Sequence, residues 1–377
     1  MGFTIAVTRE RRANETRVAA TPESVKKLIA AGAEVVVESG AGLAASYPDA
    51  QYTDAGARIA KDAKAALASA DVLFKVRAPE PEEIAALKPG ALVAAMLDAF
   101  REKETVQALA AKGATAFAME FVPRITRAQA MDVLSSQANL AGYRAVVEAA
   151  VAYGKAFPMM MTAAGTVAAA KVFVMGAGVA GLQAVATARR LGAVVTATDV
   201  RPASKEQVES LGAKFVAVED EEFKQAETSG GYAKEMSDAY KAKQAELVAS
   251  HIQKQDVVIT TALIPGRPAP KLISAAHVAS MKPGSVIVDL AVEQGGNCEA
   301  SRPGETVRTD NGVTVVGLYN LPGRIATDAS ALYARNLVSF STLLVKDGAL
   351  APDFEDEILK AACVTRDGQV VHPSLTS

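Results

Sequence analysis

Short apolar runs alternate with longer, Ala-rich stretches of helical periodicity along nearly the whole chain. A parallel strand pair needs a long crossover rather than a tight turn, so this alternation predicts parallel sheets covered by helices. The fold class is read as α/β, with two doubly wound, Rossmann-like domains. In the first third the predicted strands are Phe3–Thr8, Glu34–Glu38, Val72–Val76, Leu92–Leu97 and Thr115–Glu120, which would form one open sheet. A second series follows at Val172–Gly176, Val194–Asp199, Lys214–Val218, Asp256–Thr261, Ser285–Leu290 and Val313–Gly317. Six strands with their helices suffice for a complete nucleotide-binding sheet. Two long helical stretches, Met131–Ala156 and Asp328–Val345, flank this second series, and the tail from Pro352 is too short to fold alone. The predicted organisation is therefore an N-terminal domain of residues 1–135 with 321–377, a nucleotide-binding domain of residues 136–320, and a ligand cleft between two domains joined by two long helices.

Charge and composition narrow the function. Forty Lys and Arg stand against 42 Asp and Glu in 377 residues, a net charge of −2, so no basic surplus exists to hold a phosphate backbone. Nucleic acid is not an expected partner. Cys298 and Cys363 lie far apart, and with the scattered His251, His277 and His372 they match no zinc-ligand spacing. A metal-free site in a reducing compartment is expected. The N-terminal sequence lacks the basic-then-apolar order of a secretory signal, which points to the cytoplasm. The longest uncharged stretches, Ala156–Ala170 and Val172–Ala188, are separated by Lys171, and the first carries Pro158 while the second holds three glycines. Neither reads as a membrane span, although docking on a membrane protein needs none.

The strongest local signal is the GxGxxG run Gly176-Ala177-Gly178-Val179-Ala180-Gly181, set between the strand Val172–Gly176 and the helical run Leu182–Leu191. Gly176 permits a tight turn, Gly178 admits a pyrophosphate to the backbone, and Gly181 allows close helix–strand packing. The next predicted strand ends at Asp199, eighteen residues past Gly181, where an acid would hold the adenosine ribose. That carboxylate would repel a 2′-phosphate and so favours NAD(H) over NADP(H), although Arg201, beyond Val200, leaves some ambiguity.

The segment Pro123-Arg124-Ile125-Thr126-Arg127-Ala128-Gln129-Ala130-Met131-Asp132-Val133-Leu134-Ser135 resembles the signature of the NAD(H)-binding domain of proton-translocating NAD(P) transhydrogenases. The Glu227–Tyr240, Thr260–Ile273 and Ser285–Glu299 stretches match the same family, and the resemblance covers nearly the whole chain. It implies that Arg124, Gln129 and Asp132, with Ser135 beside them, form a loop over the nicotinamide, with Ile125 and Thr126 also at the nucleotide. A guanidinium and a side-chain amide can orient a carboxamide while a carboxylate positions both, without any of them reacting. Without the resemblance, the same residues read as an ordinary helix start capped by Thr126. The resemblance further implies a mobile lid around Gly230-Gly231-Tyr232 that closes on NAD(H), and places Gly231, Gln244 and Leu263 along the cofactor. A solvated loop is the plainer reading of that stretch. For partners it implies a second copy of the chain, membrane subunits, and a beta subunit bearing NADP(H), with this chain peripheral on the inner face of the cytoplasmic membrane.

Alanine dehydrogenases share the architecture and some of the signature. Arg17 and Lys75 match their carboxylate-binding pair, so a remnant anion site is conceivable, but Met96 lies in the stretch where they carry a His, and Glu293 stands where they carry an Asp. Imine reduction without an acid/base has no proton shuttle. An alanine dehydrogenase-like amino-acid or keto-acid oxidoreductase is the alternative reading. The alanines at 168 and 169 replace the proline pair usual in the transhydrogenases and should loosen the entry to the next strand. Cys298 and Cys363 have no base beside them by motif, the three histidines read as solvated or structural, and Met159-Met160-Met161 reads as buried packing, the common fate of apolar residues, rather than an adaptable binding surface.

Overall fold

The computed structural model describes residues 2–224, 236–264 and 266–376, and the chain divides into two compact units, Met1–Gln137 with Pro322–Ser377, and Ala138–Leu321. The first unit opens with β1 (Phe3–Val7), β2 (Ala33–Glu38), β3 (Arg58–Ala60), β4 (Val72–Arg77), β5 (Leu92–Met96) and β6 (Thr115–Ala118). β1, β5 and β6 are almost entirely buried, which explains why they read as unbroken apolar runs rather than alternating ones.

The second unit contains a short hairpin, β7 (Met160–Thr162) and β8 (Gly165–Val167), followed by β9 (Lys171–Met175), β10 (Val194–Thr198), β11 (Lys214–Phe215), β12 (Val257–Thr260), β13 (Val286–Asp289), β14 (Thr306–Arg308) and β15 (Thr314–Val316). The sheet order is β11-β10-β9-β12-β13-β15-β14. Its first six strands are parallel and only β14 runs antiparallel, at the edge. In order of appearance this is the 3-2-1-4-5-6 arrangement of a dinucleotide-binding sheet, whose crevice lies at the carboxyl ends of the central strands. The chain then adds β16 (Val345–Lys346), β17 (Ala349–Leu350), β18 (Cys363–Arg366) and β19 (Gln369–Val370). β18 pairs antiparallel with β6, giving an eight-stranded first sheet of order β19-β18-β6-β5-β4-β1-β2-β3.

The Met159–Met161 expectation is overturned. Every residue of β7 and β8 is exposed, with Met159 62%, Met160 44% and Met161 78% accessible. A two-stranded ribbon has no third layer of its own to cover either face, so its apolar side chains face outward. The cysteines and histidines fall within the packed structure. Both thiols are buried, and burial pushes each above its usual range, Cys363 to about 11. His251 meets Phe173 edge-on at 4.7 Å and shares hydrogen bonds with Thr196 and Gln255. His277 completes a helix cap with Ser274, and His372 stacks on Phe121 at 4.4 Å. Among the described residues no group of three or more His, Cys, Asp or Glu is placed to hold a metal ion, and no helix is long and apolar enough to cross a membrane.

Candidate functional site

The glycine run occupies the turn between β9 and the helix Val179–Arg190, with three separable roles. Gly176 has φ +104, and a Cβ there would meet the Thr261 hydroxyl at 2.5 Å. A Cβ on Gly181 would lie 1.8 Å from the Gly176 carbonyl oxygen, so the helix can approach the strand only over a glycine. Gly178 differs: its φ of −76 suits any residue and a Cβ would meet nothing within 4 Å. The open face at Gly178 sits at the helix N-terminus, where free backbone N–H groups and the helix dipole favour an anion. A fourth glycine closes the assembly from behind, since a Cβ on Gly142 of the helix Val133–Ala152 would lie 2.0 Å from the Ala180 carbonyl.

Asp199, just past β10, reaches back to this turn. Its Oδ2 accepts from the Ala177 backbone N–H at 2.7 Å, and both oxygens receive the Arg201 guanidinium, at 2.9 and 3.0 Å. Asp199 is thereby fixed against the loop, and the neighbouring Arg201 is turned onto it. Exposed apolar side chains rim the same carboxyl edge: Val179 after β9, Val200 after β10 and Leu263 after β12. Gln244, on the helix Asp238–Ile252, spends both ends of its amide on the protein, donating to Thr198 Oγ1 at 3.1 Å and accepting from the Val218 N–H at 3.0 Å. It ties the ends of β10 and β11 together. Gly231 and Tyr232 lie outside the described residues.

Sequence reasoning missed three supports of this edge. Thr261 donates its hydroxyl to the Gly176 carbonyl at 3.0 Å. Asn297, fully buried, accepts from the Ala262 N–H and donates to the Ala262 and Pro270 carbonyls, pinning the loop that follows β12. Asp289 at the end of β13 is buried, its carboxylate satisfied by the Thr260 and Ser301 hydroxyls and the Ala291 and Cys298 N–H groups. A carboxylate closing an apolar Val-Ile-Val run was the one available signal.

In the first unit, the Arg124–Ser135 segment forms a 3₁₀ turn, Thr126–Met131, running into the helix Val133–Ala152. Asp132 caps that helix: its carboxylate accepts from the Ser135 N–H at 2.8 Å and the Ser135 hydroxyl at 2.6 Å. Thr126 makes no capping bond; Asp132 takes that role. Arg124 and Gln129 are exposed, whereas Ala128 and Met131 anchor the turn in the core. The segment thus presents a guanidinium and an amide outward from a pinned backbone.

Arg17 and Lys75 are both buried in this unit, each held by the protein's own acceptors. Arg17 forms a bidentate pair with Glu15, at 2.7 and 2.6 Å, and donates to Gln137 at 2.8 Å. Lys75 donates to Glu83 at 3.1 Å, to Thr8 and to the Arg9 carbonyl. Burial opposes the ionised form of Glu15, but the Arg17 and Arg77 guanidiniums hold it down at about 2. Glu10, facing Lys75 at 3.8 Å, is pushed up by burial to about 7.

Two family models cover the chain: the N-terminal domain of alanine dehydrogenase/PNT matches residues 6–141, and the C-terminal domain of alanine dehydrogenase/PNT matches residues 145–373. A Rhodospirillum rubrum protein, the first of the separate chains that make up its NAD(P) transhydrogenase subunit alpha, is 57% identical over 99% of this chain and 98% of its own length. A crystal structure of transhydrogenase from Sinorhizobium meliloti superposes with a TM-score of 0.90 at 57% identity, covering 98% of this chain and 100% of that one. The alanine dehydrogenase of Bacillus subtilis is more distant, 30% identical over 98% of this chain and 93% of its own. With a dinucleotide-type sheet, a three-glycine turn and these matches end to end, the chain belongs to the alanine dehydrogenase/PNT family.

Proposed function

We propose that this chain is the NAD(H)-binding alpha subunit of a proton-translocating NAD(P) transhydrogenase. The observation that carries the reading is the 57% identity to a transhydrogenase alpha subunit across essentially both chains, set beside 30% to an alanine dehydrogenase. The residues fit a dinucleotide. Gly178 leaves room for a pyrophosphate at a helix N-terminus, and Asp199 lies against the same turn to take the ribose hydroxyls. Arg124, Gln129, Asp132 and Ser135 would orient the nicotinamide, and Tyr232 with Gly231 would close over it. The bound NADH supplies a hydride to NADP+ held on a partner beta subunit, yielding NAD+ and NADPH. The chain's own side chains bind and align; no proton passes through them, which suits a segment where Met96 and Leu97 stand at the end of β5 and no histidine lies nearby in sequence.

The partners in this reading are membrane subunits that couple the transfer to proton movement and hold the chain at the inner face of the cytoplasmic membrane. A second copy is a further partner, and the exposed Met159–Met161 hairpin supports it as a surface that needs covering. The test is hydride transfer from NADH to an oxidised NAD analogue of distinguishable absorbance, with and without a transhydrogenase NADP(H)-binding domain loaded with NADP(H). Rapid transfer only with the loaded domain is expected. Binding of NADH without such transfer, or turnover with pyruvate and ammonia, would overturn the reading.

A further inference from the structure

We propose that Asn336 is a positioning residue for hydride transfer, fixing the Arg124–Ser135 segment from the helix Ala326–Ser341. The inference rests on the reading of that segment as the nicotinamide holder. Asn336 is buried, and its amide is divided between the two flanks of the Asp132 cap. Nδ2 donates to the Ala130 carbonyl at 2.8 Å, between Gln129 and Asp132 in sequence, while Oδ1 accepts from the Ser136 hydroxyl at 2.8 Å, next to Ser135. One side chain therefore sets the spacing between the turn that carries Gln129 and the helix start that carries Ser135.

The segment has few alternatives to this hold. Its 3₁₀ turn has poorer hydrogen-bond geometry than an α-helix, and Arg124 and Gln129 point outward from it. The second external tie is Arg127, which donates to Asp356 at 2.7 Å and Glu357 at 3.3 Å; Asp356 in turn caps the helix Glu357–Ala362. That pair is half exposed and so a weak restraint. The Asn336 amide is the buried, directional one, and its two bonds cannot be exchanged for water without moving the segment. Displacements of about 1 Å in a positioning group cost up to about a hundredfold in rate, so a modest slackening of the loop should show in turnover.

The experiment uses the full chain with a transhydrogenase NADP(H)-binding domain, measuring turnover, the KM and Kd for NADH, and the melting temperature. Asn336→Ala should lower turnover at saturating NADH by about tenfold or more while KM and Kd stay within about twofold. Asn336→Asp keeps size and the Ser136 bond but sets an acceptor against the Ala130 carbonyl, and should behave like Asn336→Ala. Ser136→Ala, which leaves the buried amide in place, should give the same pattern with a smaller loss and stands in if the Asn336 variants fail to fold. Arg124→Ala separates the two levels of the argument. If Arg124→Ala slows transfer while Asn336→Ala and Ser136→Ala leave turnover within twofold, the positioning role is wrong and the nicotinamide loop survives. If Arg124→Ala also changes nothing, the loop reading falls and takes the Asn336 role with it.

Discussion

Gly178 and Gly181 lie three residues apart in one motif, yet the structure assigns them opposite sensitivities. An alanine at 181 would place its Cβ 1.8 Å from the Gly176 carbonyl oxygen. Restoring van der Waals contact needs the helix Val179–Arg190 to move away from β9 by about 1–1.5 Å. Interiors resist such shifts because they are close-packed, and overpacking of this kind costs about 1–3 kcal/mol or more. For a unit of this size that is a fall in Tm of roughly 4–10 °C. An alanine at 178 meets nothing, and its φ of −76 requires no glycine. It should cost at most about 1 kcal/mol, the difference between glycine and alanine at a helix N-cap, but its methyl group occupies the face where a pyrophosphate would meet the backbone.

The assay is a thermal melt of each variant paired with an NADH titration followed by nucleotide fluorescence. Gly181→Ala should melt well below the parent protein. Gly178→Ala should melt within a few degrees of it and lose NADH affinity by about tenfold or more, equivalent to 1.4 kcal/mol. The reasoning is refuted if Gly178→Ala binds NADH as well as the parent, since the open face would then not be the phosphate site. It is equally refuted if both alanines lower Tm alike, since Gly178 would then be a packing position.

Asp199→Ala should weaken NADH binding and narrow the preference over NADPH, because it removes the ribose acceptor and frees Arg201; unchanged binding of both nucleotides would argue against the ribose role. Glu10, raised by burial to about 7, holds its proton in the fold where the unfolded chain, near 4.5, has lost it, so stability should fall by up to about 3 kcal/mol as pH rises from about 4.5 to 7. Glu10→Gln should flatten that slope in urea melts at stepped pH, and an equally steep slope in the variant would exclude Glu10 as its source. Met161→Asp should shift the sedimentation behaviour of the protein toward a monomer without changing Tm beyond the loss of that association; an unaltered oligomer would free the hairpin from the interface.

What the sequence made legible was what is local and buried. The strands β9, β10, β12 and β13 stand out as Val- and Ile-rich runs because helices cover both faces of a parallel sheet. The glycine motif stands out because each of its conformational demands is met within six residues. β3 and β14 have no such run, being three-residue edge strands partly open to solvent, and β18 hides because its buried Thr365 spends its hydroxyl on Ala114 and Ala116, a polar residue serving as a core one. Apolarity at Met159–Met161 reports correctly that these side chains favour burial, but not whether their own chain supplies the cover. Asp132 and Ser135 carry a capping spacing that was visible, yet the residue that fixes their neighbours, Asn336, lies 206 positions from Ala130. In its own helix Asn336 is one polar residue among several, and only folding reveals that its amide faces a carbonyl. The groups that would touch a nucleotide are thus written in short motifs, while the groups that hold them still are distributed. Substitutions in the second set should change turnover before they change affinity, because they loosen geometry without removing a contact to the nucleotide.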